Sequence, residues 1–322
     1  MAFRPELVSV VIPTYNGRSD LERSLPALFS QKAEFPFEVI CIDSSSTDGT
    51  WELLGEYPID RHRIPASDFS HGGTRNRGVE LSRGGIVILM TQDAVPVGDQ
   101  WMTALVRNYE NPEVAGVYSR QIPRPDGALL AKIDLRLAPN GSIQRRVNRR
   151  SDHPHYEAAP PNERRELCNF DDICSSVRRS VWEKFPFRPL NFAEDLDWGK
   201  RVFEAGYTIV FEPEAQVVHS HDRSFVYEFK RSFITYDVVD EMFDCGDDGY
   251  GFSRALSDWV RLPVLLPPVY PEIDQEPLRS RLRAYYCITA RIFGHACFST
   301  WRRSFKSNKF GTSLQKLFYR GI

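Results

Sequence analysis

LVSVVIPTYNG, residues 7–17, sets the reading of the whole chain. Its first half is a β-branched apolar run stopped by Pro13, the pattern of a parallel strand buried on both faces. Its second half is polar and turn-forming. Leu21, Leu25, Leu28 and Phe29 then recur at helical spacing. The alternation repeats. Phe37–Ile42 (FEVICI) predicts a second buried strand, DSSSTDGT at 43–50 a polar turn, and Trp51, Leu53 and Leu54 the opening of a helix. Gly72–Leu81 predicts a short helix and Gly85–Met90 (GIVILM) a third buried strand. Strands alternating with helices imply right-handed crossovers and an α/β fold with a mostly parallel sheet flanked by helices.

Further on, the segment 121–166 is rich in Pro, Arg and Asn and weakly periodic, and predicts a long excursion, more often functional than idle. Regular structure resumes at Asp172–Arg178, with helices from Ser180 and over Ala193–Ala205, the latter capped by Gly206. Two strands are expected at Thr208–Phe211 and Gln216–His219, and a helical, aromatic region from Phe225. The expected division is an α/β domain over 1–224 and a helical, basic extension over 225–322.

The 322 residues allow two domains, or one with an appendage. A 42% hydrophobic, 26% charged composition excludes a disordered chain, a collagen and a disulfide-stapled miniprotein. Six cysteines lack paired zinc or redox spacing, so reduced thiols are expected. Met1–Leu7 has no apolar stretch that could act as a signal peptide, and Leu262–Leu266 meets Pro267 and Pro268 far short of the ~20 residues that span a bilayer. A cytoplasmic protein is expected, with room for peripheral contact on the inner face of the plasma membrane. The net charge of −2 hides an asymmetry: residues 277–322 hold ten Lys/Arg and no acid, leaving 31 Lys/Arg against 43 Asp/Glu elsewhere. Interleaved with aromatics such as Phe298, Trp301, Phe310 and Phe318, that tail could rest on anionic lipid, or fold as basic helices onto an acidic body. Nucleic acid is not expected, because no recognition motif accompanies the charge.

Ligands on such a sheet bind beyond the carboxyl ends of its strands. There stand Pro13, Thr14, Tyr15 and Asn16, then Asp43, then Thr91, Gln92 and Asp93. One glycine in PTYNGRSD is too few for a dinucleotide loop, and no Gly-Lys-Ser/Thr phosphate loop is present. Asp43 could accept the N3–H of uracil or thymine with Tyr15 beside the base; an Asp there also caps a helix. In HGGTRN (71–76) two glycines permit close approach to a ligand, and Arg75 could reach a phosphate with its planar fork, or be a surface arginine. Asp93 at the mouth of a buried strand could meet a cation, Mg²⁺ or Mn²⁺ with diphosphate oxygens, or be an ordinary turn residue. FAEDLDW (192–198) puts Glu194, Asp195 and Asp197 at a helix start, where they favour the dipole or supply a general base for a sugar hydroxyl. Trp198 could face a sugar ring or lie in the core. His219 and His221, alternating on one strand side, could complete a Mn²⁺ site with an Asp, or be structural.

In order, strand–PTYN, strand–DSSSTDGT, HGGTRN, strand–TQDA, AEDLDW and VVHSH resemble the family-2 inverting glycosyltransferases over about residues 7–225, and HGGTRNRG, LMTQDAVP, NFAEDLDWGKRVFEAGY and HSH resemble their bacterial rhamnosyltransferase branch. The resemblance implies a GT-A fold. It implies that Pro13, Thr14, Tyr15 and Asn16 form the first nucleotide loop, that Asp43 contacts the base, and that Arg75 stands at the phosphates. It aligns the family's Asp-x-Asp metal motif with Thr91-Gln92-Asp93, placing Gln92 and Asp93 at the donor. Thr91 departs from the first acid, which leaves Asp93 and a His219 contribution for Mn²⁺ or Mg²⁺. Asp195 matches the catalytic base, with Glu194 beside it. The implied reaction moves L-rhamnose from dTDP-L-rhamnose to a hydroxyl of a growing glycan or lipid-linked saccharide, with the excursion 121–166 on the acceptor side. The alternatives are a UDP-hexose or hexosamine donor, and a non-catalytic sugar-nucleotide or glycan-binding module.

Overall fold

The computed structural model describes residues 4–246, 249–306 and 315–319. Lys309, Phe310 and Arg320 of the basic tail lie outside them. The strands are β1 (Val8–Thr14), β2 (Phe37–Asp43), β3 (Ile59–Arg63), β4 (Ile86–Met90), β5 (Val95–Pro96), β6 (Val114–Ile122), β7 (Arg146–Arg149), β8 (Cys174–Arg178) and β9 (Thr208–Val218). The helices are α1 (Arg18–Phe29), α2 (Thr50–Leu54), α3 (His71–Leu81), α4 (Trp101–Val106), α5 (Leu129–Leu137), α6 (Pro161–Leu167), α7 (Arg179–Trp182), α8 (Glu194–Glu204), α9 (Phe225–Phe243), α10 (Phe252–Val269) and α11 (Leu278–Ser304).

Among the described residues, all nine strands form one sheet in the order β3-β2-β1-β4-β8-β6-β9-β5, with β7 paired to β9. β1, β2, β3, β4, β6 and β9 run one way, and β5, β7 and β8 run against them. The sheet is thus mostly parallel, flanked by helices. Val8, Val10, Val11 and Ile12 of β1 are fully buried, as are Val87, Ile88 and Leu89 of β4. This two-sided burial is what the β-branched runs require.

One expectation is corrected, and one strand is added. Residues 208–218 form one strand rather than two, because β9 stays paired with β6 across an irregularity: Glu212 lies opposite Ser119, and pairing resumes with Gln216 opposite Arg120. Pro213 cannot donate to a ladder, so the chain bulges there and continues. β6 was concealed by its position just ahead of the polar excursion, yet it is a central strand.

The chain divides into two compact units, 1–122 with 139–219, and 123–138 with 220–322. The first part of the excursion, α5 included, therefore belongs with the C-terminal helices. There Leu129, Leu130 and Ile133 of α5 pack with Leu266, Ala284 and Cys287. Arg281, Arg291, Arg302 and Lys306 of the tail face acids of their own unit. Arg291 grips Asp134 with both terminal nitrogens (2.6 and 2.7 Å) and Glu228 through Nε (2.6 Å). Arg302 and Lys306 meet on Asp240, and Arg281 reaches Asp274. None of the six cysteines is paired.

Candidate active site

The first strand ends in a loop that the sequence builds tightly. Asn16 adopts φ 44°, a left-handed conformation that Asn tolerates, and its side-chain oxygen accepts the Thr47 N–H at 2.9 Å. Gln92 faces the same loop. Its amide accepts from Tyr15 N (2.9 Å) and donates to Tyr15 O (3.2 Å). A Cβ on Gly17 would lie 2.3 Å from that amide, so a larger residue there would displace the Gln92 side chain from the loop. Gln92 as folded thus holds the loop in place. Tyr15 is left 54% exposed with its ring available.

Asp43 is fully buried. Thr14 Oγ1 donates to it at 3.1 Å, Ser46 reaches it through both backbone N–H (3.0 Å) and hydroxyl, and Arg63 Nε stands 3.4 Å away. It organises the turn after β2 and caps no helix; α2 begins behind Gly49.

HGGTRN proves to be a docking device within the protein. Ser70 caps α3 by accepting the Gly73 N–H. A Cβ on Gly72 would strike the Arg188 carbonyl at 2.7 Å, so this glycine lets α3 press against the segment leading to α8 rather than against a ligand. Asn76 donates to Phe187 O (2.8 Å) and accepts from Phe187 N (3.0 Å) and Trp182 Nε1 (2.9 Å). Arg75, expected at phosphates, is 4% exposed and sits between carboxylates, its Nε 3.0 Å from Asp172 and its Nη1 2.8 Å from Glu194. Burial works against its charge, but Asp172, Glu194 and Asp195 outweigh burial and raise its pKa. Burial lowers the pKa of neighbouring His71 against the pull of Glu194.

Glu194 and Asp195 open α8 behind Ala193, a non-glycine residue held at φ 59°. Strain of this kind is retained where the surroundings fix it. Burial, then the charges of Glu194 and Asp171, push the Asp195 carboxyl up to about 7; the Leu196 N–H and Arg75 oppose the shift. Burial also drives Asp172 well above the carboxylate range, with Arg75 opposing. Asp197 faces elsewhere, accepting from Arg201 Nε at 2.8 Å and lying near Arg188. Trp198 is core: fully buried, 4.5 Å from the Phe170 ring centroid, its Nε1 donating to Phe185 O.

Asp93 and His219 do meet, with Oδ2 and Nε2 3.5 Å apart. The histidine's geometry is set from behind. Gln121 Nε2 donates to Asp171 Oδ2 (2.8 Å), which turns Gln121 Oε1 toward His219 Nδ1 at 3.0 Å. A donating Nδ1 leaves the lone pair on Nε2, on the Asp93 side. A carboxylate and an oriented imidazole suit Mn²⁺ or Mg²⁺ in donor type, and the Gln121 support is the kind that metal-ligating histidines use. Thr91, at the departed acid position, donates its N–H to Ile173 O and turns its hydroxyl the same way.

The carboxylates therefore form a connected line. Asp195 feels Asp171, Asp171 holds Gln121, Gln121 holds His219, and His219 faces Asp93. This arrangement, on a mixed sheet of this order, can be compared with known proteins. The Glycosyl transferase family 2 profile matches residues 9–185, more than half of the sequence. The chain belongs to that family.

Among curated relatives, the O-antigen chain rhamnosyltransferase RfbN of Salmonella typhimurium is 31% identical over 259 residues, covering 79% of this chain and 74% of RfbN. WbaN of Salmonella anatum, also an O-antigen chain rhamnosyltransferase, is 30% identical over 70% of each chain. In fold, the mannosyltransferase PcManGT of Pyrobaculum calidifontis, solved with GDP-Man and Mn²⁺, superposes with a TM-score of 0.55 at 17% identity over 94% of this chain and 89% of its own. The fold of this family 2 glycosyltransferase is thus the GT-A type.

Asp171, Asp172 and Gln121 were invisible as site residues. β8 runs antiparallel, with Cys174 opposite Met90, so the start of β8 lies beside the carboxyl end of β4. A pair of acids just ahead of a strand is the signal that a reader knowing this orientation could have used.

Proposed function

We propose that this glycosyltransferase moves L-rhamnose from dTDP-L-rhamnose to a hydroxyl of a growing cell-surface glycan or lipid-linked saccharide, in one inverting displacement. The observation that carries the mechanism is the place of Asp195 at the head of α8 between Glu194 and Asp171, where burial and those charges push its carboxyl up to about 7. A base is most effective with a pKa near the working pH. Asp195 takes the acceptor hydroxyl proton as the oxygen attacks the anomeric carbon, and the bond from that carbon to the diphosphate breaks on the opposite face. No enzyme nucleophile is needed. Glu194 keeps the Asp195 pKa high by its charge and is anchored by Arg75.

Asp93 and His219 would hold Mn²⁺ or Mg²⁺, which supplies neutralisation of the leaving diphosphate when bound. Asp43, Tyr15 and the loop of Pro13, Thr14 and Asn16 would receive the base. Thymine and uracil both present an N3–H, so the base site does not separate a dTDP from a UDP donor. The names of the relatives favour rhamnose: two act on O-antigen chains, and a third, 26% identical over 66% of this chain and from Mycobacterium tuberculosis, is an N-acetylglucosaminyl-diphospho-decaprenol L-rhamnosyltransferase. The later excursion is our acceptor side, since Asn140 donates to Asp171 at 2.6 Å.

A donor panel with purified protein tests the sugar. Turnover of dTDP-L-rhamnose above UDP-glucose and UDP-N-acetylglucosamine is expected; a preference for a UDP sugar would overturn the rhamnose assignment and leave the base assignment standing.

A further inference from the structure

Helix α10 carries a surface that the transfer reaction does not use. It packs along α11 within the second unit: Ala255 groups with Ala296, and Leu266 with Ala284 and Cys287. Ala255, Leu262 and Leu266 are its buried line. At 100° per residue, Phe252, Leu256, Trp259, Val260 and Val264 occupy the adjoining sector, about 140° wide. An apolar sector beside a buried line is expected to be covered by protein, but these five are 46–74% exposed. Arg254 and Arg261, both exposed, share one direction at the far edge of the stripe, and the helix's one carboxylate, Asp258, lies beyond the buried line, bonded to Tyr250.

The pattern recurs at the start of α11. Leu278, Leu282 and Tyr286 follow at intervals of four and are 58–63% exposed, with exposed Arg279 and Arg283 beside them. An exposed stripe of Phe, Leu, Trp and Val edged by arginines is the form of a helix that lies in a bilayer interface, its guanidinium groups reaching to anionic headgroups. No helix of the described residues is long and apolar enough to cross a membrane. Residues 251–306 carry nine Lys/Arg against four Asp/Glu, which matches an anionic surface.

We infer that the exposed face of α10, joined by Leu278, Leu282 and Tyr286, docks this protein on an anionic lipid surface. This shifts the lipid contact from the tail as a whole, where Arg291, Arg302 and Lys306 are committed to acids, to a defined apolar stripe.

The test is flotation of the full chain with vesicles of phosphatidylcholine alone and of phosphatidylcholine mixed with phosphatidylglycerol. Binding to the mixed vesicles is expected, and Val260→Glu with Val264→Glu should lower the bound fraction about tenfold or more. The milder pair Leu256→Ser and Val260→Ser should lower it less while leaving thermal melting and donor turnover in solution unchanged. Those two readouts separate failure of this inference from failure of the proposed reaction. Absence of wild-type binding, or undiminished binding of the Glu pair, overturns the inference. So does light scattering that shows a dimer dissolved by the Glu pair without any vesicle binding.

Discussion

Asp195, half-buried, and Asp240, buried, are two acids under opposite electrostatic rules. Burial alone would raise both. In the second unit, Arg302 Nε (2.8 Å) and Lys306 Nζ (2.9 Å) converge on Asp240 and hold its carboxyl below the ordinary range. In the first, Asp172, Glu194 and Asp195 share the guanidinium of Arg75, Asp171 adds its charge beside them, and Asp195 is pushed up to about 7. Paired acids fasten helices together. Crowded acids with too little counter-charge store the driving force for taking a proton.

The hardest blow to this contrast is Asp195→Asn. It should cut transfer by about 10²–10⁴-fold with the fold intact, and full activity in the variant would end the base assignment. In the wild type the rate should rise with pH through about 7 as Asp195 ionises. Stability has the opposite sign. The folded pKa is raised, so the stability linked to Asp195 is complete below the ordinary carboxylate range and is lost as pH climbs through about 7. Melting curves of the Asn variant should therefore lose less across that window.

Next comes Gln121→Leu, which removes the support behind His219 without touching Asp93. Metal affinity, read from Mn²⁺ restoration after chelation or by calorimetry, should fall about 10–100-fold. An unchanged affinity would remove His219 from the metal site.

Arg302→Met leaves Asp240 with Lys306 alone. We expect a loss of about 1–3 kcal/mol in denaturant unfolding. Because Asp240 has a lowered pKa, that contribution is present above the ordinary carboxylate range and fades as pH falls through the depressed value. Turnover per folded molecule should stay within about twofold. The smallest effect belongs to Arg75→Lys, which keeps the charge but loses the fork that spans Asp172 and Glu194. The lower limb of the pH–rate profile should move to higher pH with its plateau nearly kept. A limb that stays in place would make Arg75 a packing residue only.

Much of the fold was legible. β1, β2 and β4 were visible as apolar β-branched runs, because a strand buried on both faces has little choice of residue. β6 escaped because it runs straight into the polar excursion, and the single long β9 because Pro213 reads as an end when it is a bulge. At the site, Asp93, Asp195 and His219 stood out as acids and a histidine at element ends. Arg75 and Trp198 were readable as residues but not as roles: a guanidinium within reach of Asp172 and Glu194, 97 and 119 positions away, has no local signature.

The sequence by itself determined the alternation of strand and helix, the loop after β1, and the acids available for catalysis, since periodicity and turn chemistry are properties of near neighbours. Only the tertiary structure decided how those acids behave. Whether a carboxyl titrates near 7 or far below it depends on which charges the fold brings within a few ångströms, and the reversal of β8 beside β4, which gathers Asp171 and Asp172 into the site, is fixed by pairing across the sheet.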